Sequence, residues 1–180
     1  APHEPGSRHR LDEVRTVSFG RGERAAVRAG DTLTLRLPDP MMSSDHGRLR
    51  RVEDGWLLED PRSKNGAMVA GRPTRCAPIA PDDLFELGHT LFELADEPRG
   101  DGPLDLRSDE LRGPSPALVT FDPALARSFD HLARVAPSEV PVLLVGASGT
   151  GKEVCARALH ALSGRRGPFV AVNCGGLAPA

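Results

Sequence analysis

Val140-Pro-Val-Leu-Leu-Val145 runs directly into Gly146-Ala-Ser-Gly-Thr-Gly-Lys152-Glu153. The first stretch is a short apolar run of the kind that makes a buried strand. The second is a glycine-rich turn, and a helical pattern follows it, with Cys155, Ala158, Leu159 and Leu162 on one side and Gly164 at its end. Gly146, Gly149 and Gly151 permit a tight path whose backbone N–H groups point inward and form a nest for phosphate oxygens. The helix behind the turn adds about half a positive charge at its N-terminus. Lys152 is placed to reach the outer phosphates of a nucleotide. The nucleotide-binding candidates are therefore Gly146, Ala147, Ser148, Gly149, Thr150, Gly151, Lys152 and Glu153, against the alternative of a purely structural turn. Residues 169–172 read as a second strand, so 140–173 spell strand, loop, helix, strand, the start of an α/β domain.

Upstream, residues 11–97 read as β throughout. Leu33, Leu35 and Leu37 alternate with Thr34 and Arg36, the period of a half-buried strand. Leu49 and Val52 lead into Glu53-Asp54-Gly55, and Trp56 and Leu58 follow, which predicts a hairpin with an Asp-Gly turn and Trp56 in the core. Asn65-Gly66, Gly71 and Gly88 punctuate short runs at 67–70, 84–87 and 91–94. Strands this short with turns this frequent predict a β-sandwich. Residues 98–116 carry four prolines and three glycines in a polar stretch and read as a flexible interdomain linker. From residue 117 the period becomes helical. Asp122 is a good N-cap with Pro123 at the first helical position, and Leu125, Phe129, Leu132 and Ala136 share a face.

Composition narrows the options. The 180 residues suffice for one small domain and part of another, with 39% apolar residues for a core. The 19 glycines and 17 prolines stay below the roughly 25–30% that marks general disorder. A net charge of −2 gives no global field for nucleic acid or anionic membrane. Cys76, Cys155 and Cys174 are odd in number and lack CxxC spacing, so they read as buried, inert thiols in a reducing cytoplasm, and no metal site is expected. No run approaches the roughly 18 apolar residues of a membrane span, and there is no signal-peptide core. The chain opens with Ala and is expected to be a fragment. Two lysines against 21 arginines read as genome base composition.

Four small groups recur inside 11–97: Gly20-Arg21, Ser43-Ser-Asp-His46, Asp60-Pro-Arg-Ser-Lys-Asn-Gly66 and the Gly88 turn. An arginine, hydroxyls, a lysine and an amide delivered from separate loops make a good anion site at one end of a sandwich. A phosphate brings roughly −1.5 to −2 charge, and each charge-assisted hydrogen bond contributes about 1.5–3 kcal/mol. Several residues also carry plain structural readings. Arg21 serves equally as a hairpin-edge charge, Asn65-Gly66 as a tight turn, and His46 as a hydrogen-bonded structural histidine. Arg48, Arg50 and Arg51 read as a solvated strand edge beside Glu53 and Asp54, and His131 and His160 have no metal partners at ligand spacing.

Two resemblances add to this. Gly-Arg, then Ser-x-x-His, then Asn-Gly resemble, in that order, the forkhead-associated (FHA) domain, a reader of phosphothreonine peptides. The resemblance implies that Arg21 and Ser43 hold the phosphate, Ser44 and Lys64 add donors, Asn65 bonds the peptide backbone, and His46 braces the loop from inside. Ser44-Asp45 departs from the family, which usually carries arginine after the first serine. Ser148-Gly-Thr-Gly-Lys-Glu153, Ala156-Arg-Ala-Leu-His160, Ser163, Arg166 and Pro168-Phe-Val-Ala-Val-Asn-Cys174 resemble the AAA+ ATPase domain of bacterial sigma-54-dependent activators of the nitrogen-regulation type. In that family a glutamate stands where Glu153 does, although a P-loop otherwise carries Ser or Thr there for Mg²⁺; Ala147 replaces a usual glutamate. The resemblance implies ATP with Mg²⁺, a ring assembly, and remodelling of sigma-54 RNA polymerase at promoter DNA. The paired acids, sigma-contacting loop, sensors, arginine fingers and DNA-binding helices it implies would lie beyond Ala180, so no catalytic residue is expected in this piece. Strands at 142–145 and 169–172 are not neighbours in that family's sheet and would lack partners here.

The expected architecture is thus multidomain: an all-β FHA-type sandwich over 11–97, a linker over 98–116, and the N-terminal part of an α/β P-loop domain over 117–180. The expected function is an ATP-dependent sigma-54 transcription activator with phosphothreonine input. Two alternatives stay open: a phosphate-independent protein-interaction adaptor with a vestigial P-loop, and a P-loop kinase fused to the sandwich.

Overall fold

The computed structural model describes residues 5–96 and 102–173. In chain order the elements are β1 (Ser7–His9), β2 (Thr16–Arg21), β3 (Ala25–Ala29), β4 (Thr32–Leu37), β5 (Gly47–Val52), β6 (Gly55–Glu59), β7 (Ala67–Val69), β8 (Arg72–Thr74), β9 (Cys76–Ile79), β10 (Leu84–Leu87), β11 (Thr90–Glu93), β12 (Asp105–Arg107), α1 (Pro123–Val135) and α2 (Lys152–Leu162). Contacts divide the chain into two units, His9–Asp105 and the residues from Leu106 onward together with the first eight.

The first unit is a sandwich of a six-stranded sheet, ordered β3-β4-β2-β5-β6-β9, and a four-stranded sheet, ordered β11-β10-β7-β8. Alternation builds it. In β4, Leu33, Leu35 and Leu37 face inward while Thr32, Thr34 and Arg36 stay half-buried on the outer face. Burying each such leucine contributes about 1.5–3 kcal/mol. β2 lies at the centre, parallel to β4 and antiparallel to β5. Between the sheets Phe19 meets Phe92 edge to face at 4.8 Å, and Phe92 stacks on Phe85 at 5.1 Å. The expected β5–β6 hairpin forms, pairing Val52 with Gly55 around Glu53-Asp54. Trp56 is only half-buried; it packs against the core and holds the Arg51 guanidinium 5.7 Å from its ring centre.

Part of the expected linker is ordered. Within 102–116 the chain forms β12, which pairs with β1. Asp105 is the reason: its carboxylate receives Arg28 at 2.7 and 2.9 Å and His9 Nδ1 at 2.8 Å. The Arg28 fork, assisted by His9, holds Asp105 below the usual carboxylate range in spite of partial burial. Residues 97–101 lie outside the described part.

In the second unit Asp122 caps α1, its Oδ1 accepting from the amides of Ala124 at 2.7 Å and Leu125 at 3.3 Å. The α1 face is poorly covered: no residue of α1 is buried, and of the four predicted face positions only Ala136, just past its end, is. The strands expected at 140–145 and 169–172 do not form. A strand exists by its ladder, and among the described residues no neighbour supplies one. Leu143 and Val145 are each 86% exposed, and Val170 73%. The expectation of buried thiols also fails: Cys76 is exposed on an outer strand and Cys155 half-buried, while Cys174 lies outside the described residues. No described helix is long and apolar enough to cross a membrane.

Candidate functional site

Four loops of the sandwich converge, and hydrogen bonds join each to the next. Arg21 closes β2; its amide donates to the Ser43 carbonyl at 2.8 Å, and its exposed guanidinium lies 3.4 Å from the Pro40 carbonyl. Ser43 Oγ accepts from the Lys64 amide at 3.3 Å. Asn65 donates from its side-chain nitrogen to the Met41 carbonyl at 2.7 Å. Thus Arg21, Ser43, Lys64 and Asn65 are brought to one place, with Ser44 exposed next to them.

Buried polar groups set these loops. His46 is almost fully buried; its Nδ1 accepts from the Ser43 amide at 3.0 Å, which leaves Nε2 to donate to the Gly66 carbonyl at 2.9 Å. It is a structural pin between the serine loop and the asparagine loop. Asp60 is fully buried and accepts from the Ser63 amide at 2.9 Å and the Ser63 hydroxyl at 2.5 Å. Arg75 donates to Asp60 at 3.2 Å and to the Ser63 carbonyl at 2.9 Å, and Ser63 Oγ accepts from the Gly66 amide at 2.8 Å. A buried carboxylate this well paired is retained, whereas an unpaired one would cost several kcal/mol.

Asp39 was not singled out from sequence. Its Oδ1 accepts from the Met41 amide at 2.8 Å, and its Oδ2 from the His89 amide at 2.7 Å and the Thr90 hydroxyl at 2.9 Å. Burial opposes its charge, but the His89 and Met41 amides and the Thr90 hydroxyl outweigh that and keep it below the usual carboxylate range. It ties the serine loop to the β10–β11 turn. Ser63, inside the Asp60–Gly66 group, and Arg75 carry no role in the sequence reading. The spacing from Asp60 to Ser63 is an Asx-turn signal, and Pro38-Asp-Pro40 is a turn signal that pointed at Asp39.

The other candidate site stands at the N-terminus of α2. Gly149 and Gly151 have φ of 82° and 83°, left-handed values suited to glycine, and Gly151 caps the helix without a side-chain bond. A Cβ at Gly146 would lie 2.7 Å from Thr150 Oγ1. The first amides of α2 have no intrahelical acceptor. Ala147, Ser148 and Thr150 complete the turn, with Thr150 Oγ1 donating to the Ala147 carbonyl at 2.9 Å. Lys152 is folded back, donating from Nζ to the carbonyls of Gly146 at 3.0 Å and Ala147 at 2.6 Å. Glu153 is held by Arg157 at 2.7 Å, and Arg157 lies 4.9 Å over Phe169. Glycines, free amides and a lysine make a donor set that fits a polyphosphate.

Two family models match the chain. The FHA domain family model matches residues 17–88, and the Sigma-54 interaction domain model matches residues 118–180. The chain is 56% identical over 72 residues to the sigma54-dependent transcriptional activator SfnR of Pseudomonas putida, covering 34% of this chain and 20% of that protein. It is 49% identical over 74 residues to a Nif-specific regulatory protein of Rhodobacter capsulatus, covering 38% and 13%. The chain spans a fifth or less of the length of these two relatives. A solved structure from a study of phosphothreonine-dependent FHA domain interactions aligns at 28% identity and a TM-score of 0.38, covering 48% of this chain and 81% of that one. The chain therefore carries an FHA domain followed by sequence of the sigma-54 interaction domain.

Proposed function

We propose that the sandwich binds a threonine-phosphorylated peptide across Arg21, Ser43, Ser44, Lys64 and Asn65, and that it serves as the regulatory input of an ATP-dependent sigma-54 transcription activator. The observation that carries this reading is the convergence of Arg21, Ser43 and Asn65 on loops pinned from below by His46. Arg21 has one long hydrogen bond to a carbonyl and no ion pair among the described residues, so most of its donors are available to phosphate oxygens. Ser43 and Ser44 add hydroxyls. Asn65 keeps its amide oxygen and a second N–H for the backbone of an extended peptide, while its bond to Met41 orients it.

The glycine-rich turn would hold ATP: its phosphates on the amides of 147–152, with Lys152 released from the Gly146 and Ala147 carbonyls to balance their charge. Glu153 would meet Mg²⁺ after parting from Arg157, directly or through water. ATP supplies the hydrolysis free energy on which a ring-forming activator acts on sigma-54 RNA polymerase at promoter DNA. The residues described here bind and orient.

The test is binding of a phosphothreonine peptide pool with randomised flanks against its dephosphorylated twin. Preference for the phosphorylated pool that Arg21→Ala abolishes is expected, and equal affinity would sink the input half. Asp45, exposed beside Ser44, adds negative charge near the site and is the observation favouring the rival reading, a phosphate-independent protein contact. Equal affinity selects that rival. For the nucleotide half, Lys152→Ala in the full-length protein should abolish Mg-ATP binding seen by calorimetry.

A further inference from the structure

We infer that Arg36 is a further phosphate-site residue, supplying from the neighbouring strand the cation that the Ser44-Asp45 segment lacks. The inference rests on the phosphopeptide reading above. Arg36 lies on the outer face of β4, in register with Gly20 of β2. Gly20 makes room for it, and Gly22 borders its stem. A Cβ on Gly22 would lie 3.4 to 3.6 Å from the Arg36 stem, and a Cβ on Gly20 would collide with both Arg36 Nη1 and the Ser44 carbonyl. The side chain therefore runs along Gly22 and through a trough over Gly20 that a Cβ there would block, and it ends at Ser44, where Nη1 donates to the carbonyl.

This places a guanidinium at the serine whose hydroxyl is offered to the phosphate. Arg21 and Arg36 hold the same loop from two sides, one at Pro40 and one at Ser44. A guanidinium carries five N–H donors in a fixed fork, and one bond to a carbonyl leaves the rest for an anion. Arg36 makes no ion pair among the described residues, unlike Arg48 and Arg50, which share Glu59 on the same sheet face. Asp45 directly follows the residue that Arg36 contacts. A cation held at Ser44 offsets that charge and keeps the loop attractive to a dianion.

The experiment measures binding of the randomised phosphothreonine pool and its dephosphorylated twin to the 180-residue chain and to Arg36→Ala, Arg36→Lys, Ser44→Arg and the double variant Arg36→Ala/Ser44→Arg. Circular dichroism and thermal melts identify variants that keep the fold. Expected are about a tenfold loss for phosphopeptide in Arg36→Ala, a smaller loss in Arg36→Lys, and recovery in the double variant. Unchanged phosphopeptide binding in Arg36→Ala overturns the inference, as does an equal loss for both pools or absence of recovery in the double variant. If the unmutated chain itself shows no preference for phosphate, the phosphopeptide reading fails first, so the two failures are distinguishable.

Discussion

His46 joins Gly66 to the serine loop, its Nε2 donating to the Gly66 carbonyl at 2.9 Å while its Nδ1 receives the Ser43 amide at 3.0 Å. One buried ring thereby sets the separation of the two loops that carry Ser43 and Asn65.

Replacing that ring should cost both stability and binding. His46→Ala leaves the half-buried Ser43 amide and Gly66 carbonyl without this partner and opens a cavity, a loss of about 2–4 kcal/mol. Urea unfolding measures it. Phosphopeptide affinity should fall in the same variant even at temperatures where it is fully folded. A stability change within the noise of the melt would show that the loops hold themselves.

Acid should weaken the sandwich through Asp39 and Asp105. Both carboxyls titrate below their usual range, Asp39 because its amide and hydroxyl donors outweigh burial, Asp105 chiefly because of Arg28. A carboxylate whose folded pKa lies below its unfolded value of about 3.9 stabilises fully above that value, and the stabilisation disappears as pH falls through the folded pKa. Asp39→Asn should therefore be less stable than the unmutated chain by roughly 1–3 kcal/mol at pH 7, and the two should converge near the acid end of a urea–pH series. A gap independent of pH would contradict the charge-based account.

Two glycines with left-handed backbones should respond unequally to alanine. Gly66, at φ 80°, has open space where a Cβ would go, so Gly66→Ala should cost only the conformational penalty of about 1–2 kcal/mol. Gly88, at φ 68°, would place a Cβ 2.7 Å from Asp39 Oδ2 and 2.8 Å from the Met42 amide. Gly88→Ala should be clearly the more damaging in thermal melts, because the Asp39 bonds to His89 and Thr90 must give way.

Hydrogen exchange should separate the two units. Amides of β2, β4 and β5 sit in ladders over a closed core and should be protected. Residues 140–145 and 169–172 have no ladder and should exchange at nearly unfolded rates in this chain. Mass-spectrometric exchange on the 180-residue chain reads both, and comparable protection in the two units would mean that these segments find partners in solution.

Local pattern alone made several features legible: the alternation of Leu33, Leu35 and Leu37, the Asp-Gly hairpin, the Asp122 cap with Pro123, and the glycine turn opening α2. These depend on neighbours within a few residues, which a single sequence displays. Only the tertiary structure brought Arg36 through the Gly20 trough to Ser44, Asp39 to the Gly88 turn, and Asp105 to Arg28 across 77 residues. It also decided against strands at 140–145 and 169–172, whose apolar runs are real but whose ladder partners are not supplied by any described residue. A residue's propensity is carried by its own side chain. A hydrogen-bond ladder or a buried ion pair requires a second group, and which group arrives is settled by the packing of distant segments.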